Sequence, residues 1–352
     1  MKSMKTKVEF INREQMNIEA IREAGNVLKE GGLVAFPTET VYGLGANALD
    51  EEAAAKTYAA KGRPSDNPLI VHIARTEDLY HIVEHVPDKA VILAEKFWPG
   101  PLTMIFDKSA IVPYGTTGGL ETVAVRMPDD EIARALILAG GGYVSGPSAN
   151  TSGRPSPTTA GHVMDDLNGK IEMILDGGPV HIGVESTIVD MTVEPPMILR
   201  PGAITQEMLE KEIGQVLVDQ AVLDADSKTP PKAPGMKYRH YAPKAELTII
   251  EGELESVIQT IQKMAQEKET QGYRTGIIAT EETVNRYSGS NIKCIGTRQD
   301  EGTVAANLYG ILREFDADGT DYIYSESFDT EGIGSAVMNR LLKAAGHRII
   351  EI

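Results

Sequence analysis

Residues 31–45 of the chain read GGLVAFPTETVYGLG, and this stretch decides the fold. Two glycines end the preceding helix, the apolar run at residues 33–37 predicts a short buried strand, and a loop rich in hydroxyl groups follows. Thr38, Glu39 and Thr40 therefore stand at the end of a buried strand, where α/β proteins place residues that contact small polar ligands. A tight turn in which the two threonines bond their own backbone is the alternative interpretation.

Strands and helices alternate on both sides of this stretch. A helix is predicted over Asn17–Glu30, where Ile18, Ile21 and Leu28 have near-helical spacing. Further strands are predicted at Leu69–Ile73, Leu102–Phe106, Thr122–Met127, Ile171–Leu175, Ser186–Val189 and Met197–Leu199. Further helices are predicted at about Glu51–Ala60, Lys89–Phe97, Glu131–Leu138 and Ala203–Ile213. This alternation predicts a layered α/β domain over residues 8–212.

The chain changes in kind at residue 221. Residues 221–243 are rich in proline and have no sustained apolar period, which is typical of a linker. Strand signals resume at Leu247–Ile250, Thr275–Ala279, Ile292–Ile295 and Tyr322–Ser325. Helices are predicted through Glu253–Lys268, Thr303–Phe315 and near Ala336–Ala345. We therefore expect a linker over residues 213–244 and a smaller α/β domain over residues 245–352.

Composition limits the function. A chain of 352 residues exceeds one comfortable core, which favours two domains. The formal charge of −17 repels phosphate backbones, which disfavours a broadly basic nucleic-acid platform, and any phosphate site must be a local cluster of cations. The single cysteine, Cys294, and the lack of a signal sequence or an apolar spanning segment predict a cytoplasmic protein without membrane contact.

Local cations do occur in stiff loops. Arg63 stands beside Pro64, and a guanidinium group held in a rigid loop is suited to phosphate. Lys61 closes a predicted helix, so it could instead complement the helix dipole. His72 interrupts the otherwise apolar strand at residues 69–73, and by itself such a histidine is more typical of the core than of a ligand site.

A second set of polar segments follows. Arg126 interrupts an apolar strand, and a buried arginine needs an anionic partner from protein or ligand. Residues 145–158 read SGPSANTSGRPSPT, which favours close backbone approach to phosphate or ribose; a flexible linker is the alternative. Arg200 adds a cation at a strand end, or forms a surface salt bridge. Residues 233–243, APGMKYRHYAP, are basic and aromatic, which indicates a lid over a ligand or aromatic packing between domains.

Taken together and in this order, these segments resemble the threonylcarbamoyl-AMP synthase family in its long form. The resemblance covers nearly the whole chain and also rests on Trp98-Pro99-Gly100-Pro101-Leu102-Thr103, Glu185-Ser186-Thr187 and Leu199–Gly202. It implies an α/β (α+β) fold, in which a YrdC-like twisted mixed sheet flanked by helices is followed by a smaller Rossmann-like C-terminal domain.

The resemblance implies that L-threonine, bicarbonate or CO2, and ATP yield threonylcarbamoyl-AMP and pyrophosphate. The product would pass to a tRNA-modifying threonylcarbamoyl transferase complex, and Mg²⁺ would enter with ATP, without ligands from protein side chains. A carbamoyltransferase that forms a carbamoyl adenylate is an alternative, which the absence of zinc-finger cysteines disfavours. An RNA-binding ribosome-maturation factor is another, which the acidic charge disfavours.

The resemblance also implies the site residues. Lys61 and Arg63 are expected to be catalytic. ATP would be bound by Lys61, Arg63, Asn67, Thr122, Ser148, Asn150, Ser156, Arg200 and Tyr241. Threonine would be bound by Thr40, His72, Arg126, Gly146 and Ser186. For His72 this reverses the interpretation based on the strand alone, and the segment Gly235–Pro243 is expected to close over the site.

Overall fold

The computed structural model describes residues 5–223, 240–289 and 291–352, and the chain divides into two compact units. Within the described residues, the first unit holds 5–152, 156–181 and 185–223, and the second holds 153–155, 182–184, 240–289 and 291–352. The domain borders predicted at residues 212 and 244 stay predictions. Residues 224–239 of the predicted linker, which include residues 235–239 of the predicted lid, lie outside the described residues. Within the described parts of the chain, no helix is long and apolar enough to cross a membrane.

The first unit contains an eleven-stranded sheet with the order β1-β8-β2-β3-β7-β4-β6-β5-β9-β10-β11. Its strands are β1 Lys7–Phe10, β2 Val34–Phe36, β3 Gly43–Asn47, β4 Ile70–His72, β5 Leu102–Asp107, β6 Thr122–Arg126, β7 Val144–Ser145, β8 Met173–Asp176, β9 Thr187–Asp190, β10 Met197–Arg200 and β11 Leu217–Val218. Parallel and antiparallel pairs both occur in it, so the predicted mixed sheet is confirmed.

The helices of the first unit flank this sheet. They are α1 Ile18–Lys29, α2 Glu51–Lys61, α3 Leu79–Ile82, α4 Asp88–Phe97, α5 Tyr114–Thr117, α6 Glu131–Ala139, α7 Ala160–Leu167, α8 Gln206–Ile213 and α9 Gln220–Leu223, with a 3-10 turn at Thr76–Asp78. Asn17 caps α1 by accepting a hydrogen bond from the backbone N–H of Ala20 at 3.3 Å. The apolar side of α1 packs with β2 and α6 in one cluster that includes Leu28, Phe36 and Leu136. Burial of β2 by these helices explains its uniformly apolar sequence.

One strand was not predicted in the stretch that decides the fold. Residues 43–47 form β3, which pairs antiparallel with β2, so that the PTETVY segment becomes the connection of a hairpin. Their sequence, GLGAN, lacks the β-branched residues that mark strands. The glycines permit the close pairing, because a Cβ atom on Gly43 would lie 2.9 Å from the Phe36 ring.

The second unit contains a five-stranded sheet with the order β14-β13-β15-β12-β16. Its strands are β12 Glu246–Glu251, β13 Thr275–Ala279, β14 Ile292–Cys294, β15 Tyr322–Glu326 and β16 Ile349–Glu351, and its helices are α10 Leu254–Thr270, α11 Glu301–Ala317 and α12 Gly334–Ala344, with a 3-10 turn at Val284–Arg286. Each pair of neighbouring strands is parallel, which confirms the predicted smaller α/β unit. The last strand, β16, was missed because its short sequence lies at the end of the chain.

Candidate active site

The hairpin connection between β2 and β3 carries the first group of polar side chains. The Thr38 hydroxyl accepts hydrogen bonds from the backbone N–H groups of Thr40 and Val41 at 3.1 and 3.2 Å. The backbone contacts of the turn interpretation are therefore present for Thr38. Thr40 has a second contact, because Arg126 Nη1 donates a hydrogen bond to its hydroxyl at 2.9 Å. The turn thus fixes a threonine hydroxyl against a buried guanidinium group.

Arg126 ends β6 and lies in a buried environment. Its Nη2 atom is 2.7 Å from Glu39 Oε2, and only 5% and 2% of the two side chains are exposed. The two groups are not aligned for a hydrogen bond, so neither carboxylate oxygen of Glu39 has a hydrogen-bond partner among the described residues. Glu39 is the anionic protein partner that a buried arginine in this strand required.

Strand register brings His72 beside Arg126, because β4 and β6 are parallel neighbours with these two residues paired. Burial, reinforced by the Arg126 charge, lowers the pKa of His72 to about 3, so its imidazole is neutral at pH 7. The ring lies edge-on to Phe36 with 6.0 Å between centroids. Gly146 lies directly against the ring, since a Cβ atom there would be 2.7 Å from His72 Cε1.

Ser186 precedes β9 and is held by two neighbours. The Thr103 and Ser186 hydroxyls are hydrogen-bonded at 2.7 Å. Arg200 donates from Nε to the Ser186 carbonyl oxygen at 3.0 Å and from Nη2 to the Ser186 hydroxyl at 3.2 Å. Only 5% of Arg200 is exposed, so its interpretation as a surface salt bridge is wrong. Sequence reasoning assigned no role to Thr103, because its pairing with Arg126 across β5 and β6 appears only in the folded sheet.

Lys61 ends α2, yet its ammonium group turns into the protein. Only 1% of the residue is exposed, and Nζ donates to the carbonyl oxygens of Ser148 and, at 2.7 Å, Asn150. A role limited to the helix dipole therefore does not describe it. Arg63, two residues later, donates from Nε and Nη2 to the carbonyl oxygens of Asn67 and Pro68, both at 3.0 Å. The Lys61 bonds join α2 to residues 148–150, and the Arg63 bonds close the loop that follows α2.

The loop at residues 145–158 is built into the sheet and is not a flexible linker. Leu44 N donates to the Pro147 carbonyl at 2.7 Å, and Ala149 N donates to the Tyr42 carbonyl at 2.8 Å. The Ser156 hydroxyl donates to Glu185 at 2.5 Å, which ties this loop to the segment before β9. Glu185, to which the sequence analysis assigned no role, is therefore bonded to a residue predicted to bind ATP.

Thr122 and Tyr241 were also predicted to bind ATP, and this role stays a prediction. Thr122 begins β6 and is half-buried at the opposite end of that strand from Arg126. Tyr241 belongs to the second unit, where it stacks on Tyr309 with 5.3 Å between ring centroids and has a positive φ of 64°. The described residues contain no group of three or more histidine, cysteine or acidic side chains that could hold a metal ion.

The chemistry of the first unit follows from these contacts. Hydroxyl groups, a neutral imidazole and buried cations gather where β4, β6, β7 and the hairpin connection meet. Such a set can bind the carboxylate and hydroxyl of a small amino acid, while Lys61 and Arg63 offer cations for phosphate. Groups that bind and neutralise charge dominate this set, so a positioning mechanism fits better than a covalent one.

Two family models match the chain. One, described as telomere recombination (Sua5, YciO and YrdC), matches residues 26–202, and the other, described as the threonylcarbamoyl-AMP synthase C-terminal domain, matches residues 204–346. The threonylcarbamoyl-AMP synthase of Bacillus subtilis strain 168 is 50% identical over 99% of this chain and 100% of its own length. That of Pyrococcus abyssi is 48% identical over 97% and 98% of the two chains. The crystal structure of P. abyssi Sua5 complexed with L-threonine has a TM-score of 0.93 and 47% identity, and covers 99% of this chain and all of that one.

Proposed function

The chain belongs to the threonylcarbamoyl-AMP synthase family, and from its buried polar groups we propose how it binds its substrates and carries out the reaction. It is an enzyme of the nucleotidyltransferase type, which forms threonylcarbamoyl-AMP for the synthesis of threonylcarbamoyladenosine in tRNA. The carbamoyltransferase and the RNA-binding factor considered as alternatives do not have this full-length similarity in their favour.

The threonine site is proposed around Arg126. This guanidinium lies in an otherwise apolar strand and donates to Thr40, and it is the single observation on which the proposal depends. Arg126 binds the threonine carboxylate, because a guanidinium group pairs with a carboxylate through two parallel hydrogen bonds. Thr40, the neutral His72 and Ser186 contact the remaining polar groups, and the backbone at Gly146, which packs directly against the His72 ring, contributes a further contact.

The nucleotide site is proposed around Lys61 and Arg63. Asn67, Ser148, Asn150, Ser156 and Arg200 complete the proposed ATP contacts in the first unit, together with Thr122, and Tyr241 is proposed from the second. The N-carboxylate of threonine attacks the α-phosphorus of ATP and displaces pyrophosphate. Catalysis consists of positioning the two reactants and neutralising the charge that develops on the phosphates, which is the task of Lys61 and Arg63.

Magnesium is proposed to accompany ATP. The described residues offer hydroxyl and carbonyl oxygens near Lys61 but no cluster of acidic residues, so the ion is expected to be held by phosphate oxygens and water. When bound, it supplies positive charge to the triphosphate. We further propose that the enzyme works in the cytoplasm and passes its product to a threonylcarbamoyl transferase complex that modifies tRNA.

The proposal is tested by pyrophosphate release. With ATP and magnesium, turnover should require both threonine and bicarbonate; dependence on carbamoyl phosphate would favour the carbamoyltransferase instead. Arg63→Ala should remove about 2–4 kcal/mol of transition-state stabilisation, by analogy with other charge-stabilising donors. Arg286→Ala is the matched control, because this arginine forms an exposed ion pair with Glu255 in the second unit and should keep the wild-type rate. Wild-type turnover of Arg63→Ala would reject the proposed nucleotide site.

A further inference from the structure

Glu39 is a buried carboxylate to which the mechanism above assigns no role. Only 2% of its side chain is exposed, and its Oε2 atom lies 2.7 Å from Arg126 Nη2 without the alignment of a hydrogen bond. Neither of its oxygens has a hydrogen-bond partner in the described parts of the chain. An ionised carboxylate can accept several hydrogen bonds, and buried oxygens that accept none are uncommon in native proteins. Glu39 therefore has unused acceptor capacity beside the proposed threonine anchor.

The reaction needs such an acceptor. An α-amino group is largely protonated at neutral pH, and an ammonium nitrogen has no lone pair with which to attack a carbon atom. The first step, in which threonine becomes an N-carboxylate, therefore requires that one proton leave the nitrogen. A side chain within hydrogen-bond reach of that nitrogen is the usual means of removing it.

Other titratable groups around the proposed site are less suited to this task. His72 has a pKa lowered to about 3 by burial and by Arg126, so it cannot hold a proton at neutral pH. Asp130 caps α6 and forms an ion pair with Arg13 at 2.8 Å. Glu185 accepts the hydrogen bond from the serine of the neighbouring loop at 2.5 Å. Glu39, in contrast, touches the arginine at which the amino acid is expected to bind.

We propose that Glu39 binds the ammonium group of threonine and accepts a proton from it, an inference that rests on the proposed role of Arg126. In an α-amino acid, the ammonium and carboxylate groups are attached to the same carbon atom. A carboxylate bound to Arg126 therefore brings the ammonium group close to Glu39. The two side chains together recognise both charges of a zwitterion, which selects an amino acid over a simple carboxylic acid.

The step balances with bicarbonate as the second reactant. One N–H bond of the ammonium group breaks, its electron pair stays on nitrogen, and the proton moves to Glu39. The amine then forms an N–C bond with the carbon of bicarbonate while the C–OH bond breaks. The departing hydroxide takes a second proton from nitrogen and leaves as water. The products are the N-carboxylate of threonine, one water molecule and protonated Glu39, which afterwards returns its proton to solvent.

Two charged residues face Glu39 from neighbouring elements. Arg126 faces it from the end of β6, and Asp130 at the start of α6 interacts with it electrostatically while paired with Arg13. A substrate carboxylate on Arg126 would share the guanidinium charge that now faces Glu39.

Glu39→Gln tests the proposal, because it keeps the shape of the side chain and removes the proton acceptor. Steady-state pyrophosphate release is measured from pH 7 to pH 9.5, with kcat and the KM for threonine determined separately. At pH 7, kcat should fall by about 100-fold. The ratio of wild-type kcat to variant kcat should fall by about tenfold for each pH unit, because solvent then removes the proton that Glu39 would have taken. Glu39→Asp keeps a carboxylate and should recover part of the lost kcat.

Asp130→Asn is the matched control, since it removes the neighbouring buried negative charge. Any loss of kcat in this variant should not become smaller as the pH rises. A Glu39→Gln variant with wild-type kcat would overturn the proposal. A change in KM alone that does not depend on pH would also overturn it, because Glu39 would then only hold Arg126 in place.

Arg126→Gln tests the proposed threonine site separately from the role of Glu39. If calorimetry shows unchanged threonine binding in that variant, the proposed threonine site itself is rejected. Thermal melting of each variant checks that it is folded, and if Glu39→Gln does not fold, the Glu39→Asp pH profile decides.

Discussion

Each unit contains a buried glutamate in contact with an arginine, and the two pairs differ in their hydrogen bonds. In the second unit, Arg298 donates to Glu326 at 2.6 Å, and the Tyr287 hydroxyl donates to the other oxygen of the same carboxylate at 2.9 Å. In the first unit, Arg126 and Glu39 approach to 2.7 Å without alignment, and the Glu39 oxygens accept no hydrogen bond from the described residues. The first pair is more deeply buried on the arginine side, with 5% of Arg126 and 32% of Arg298 exposed.

The number of hydrogen bonds to the carboxylate distinguishes a structural glutamate–arginine pair from a functional one. A buried carboxylate whose oxygens are both satisfied stabilises its surroundings and has little left to offer a ligand. A buried ion pair whose hydrogen bonds are unmade carries a cost in the free protein, which substrate groups can relieve. The Arg298 pair is accordingly interpreted as structural and the Arg126 pair as functional.

The largest expected effect comes from truncating both arginines in the same way. Arg126→Ala should weaken threonine binding by about 2–5 kcal/mol, because it removes one partner of a buried, hydrogen-bonded charge. Arg298→Ala should leave threonine binding and kcat at wild-type values. Calorimetric titration with threonine and steady-state kinetics measure both. Equal losses in the two variants would remove the distinction between the pairs.

The second effect concerns stability alone. Glu326→Gln should lower the free energy of unfolding by about 1–3 kcal/mol, because the two donors that now bond a charged carboxylate would meet an amide with only one acceptor atom. Its kcat should not change. Urea unfolding and pyrophosphate release are measured on the same preparation, and a variant with normal stability and reduced turnover would contradict the structural interpretation.

The third effect is a pH dependence that belongs to the first unit. The folded-state pKa of His72 lies at about 3, below the ordinary value of 6.5, so the unfolded chain binds more protons between these values. This histidine should therefore make no contribution above about pH 6.5 and reduce the unfolding free energy by up to about 1.4 kcal/mol per pH unit below it. The stability of His72→Gln should fall less steeply with acidity than that of the wild type. Parallel curves for the two proteins would show that His72 does not titrate as described.

The smallest effect concerns the hydroxyl behind Ser186. Thr103→Val keeps the shape of a fully buried side chain and removes its 2.7 Å hydrogen bond to Ser186. We expect a cost of about 1 kcal/mol, the usual net value of one hydrogen bond, expressed mainly as a higher KM for threonine. Ser186→Ala and the double variant complete the cycle, in which additive effects on KM would show that Thr103 does not act through Ser186.

Much of the fold could be predicted from local signals. Apolar runs and cap residues gave the helix that became α1 and the strands that became β5 and β13, with borders within a few residues. The prediction failed for β3, whose glycine-rich sequence has no strand propensity and is held in the sheet by its pairing with β2. It also missed α7, which follows a segment dense in serine and proline.

Only part of the candidate site could be predicted from the sequence, because local signals mark some of its residues and not others. Lys61, Arg63 and Arg126 stand out in sequence because cations are rare in apolar strands and stiff loops. Thr103 does not stand out, and neither does the role of Glu39, because their importance lies in side chains that approach them from other strands.

The sequence by itself determined that this is an acidic, two-part α/β chain with a few cations in glycine- and proline-rich loops. Tertiary structure alone decided which group each cation meets. Thr40 and Arg126 are 86 positions apart, and Lys61 and Asn150 are 89 apart, yet each pair is hydrogen-bonded. Local propensity acts over a few residues, whereas contacts of this kind depend on the order and register of the strands, which the whole sheet fixes at once.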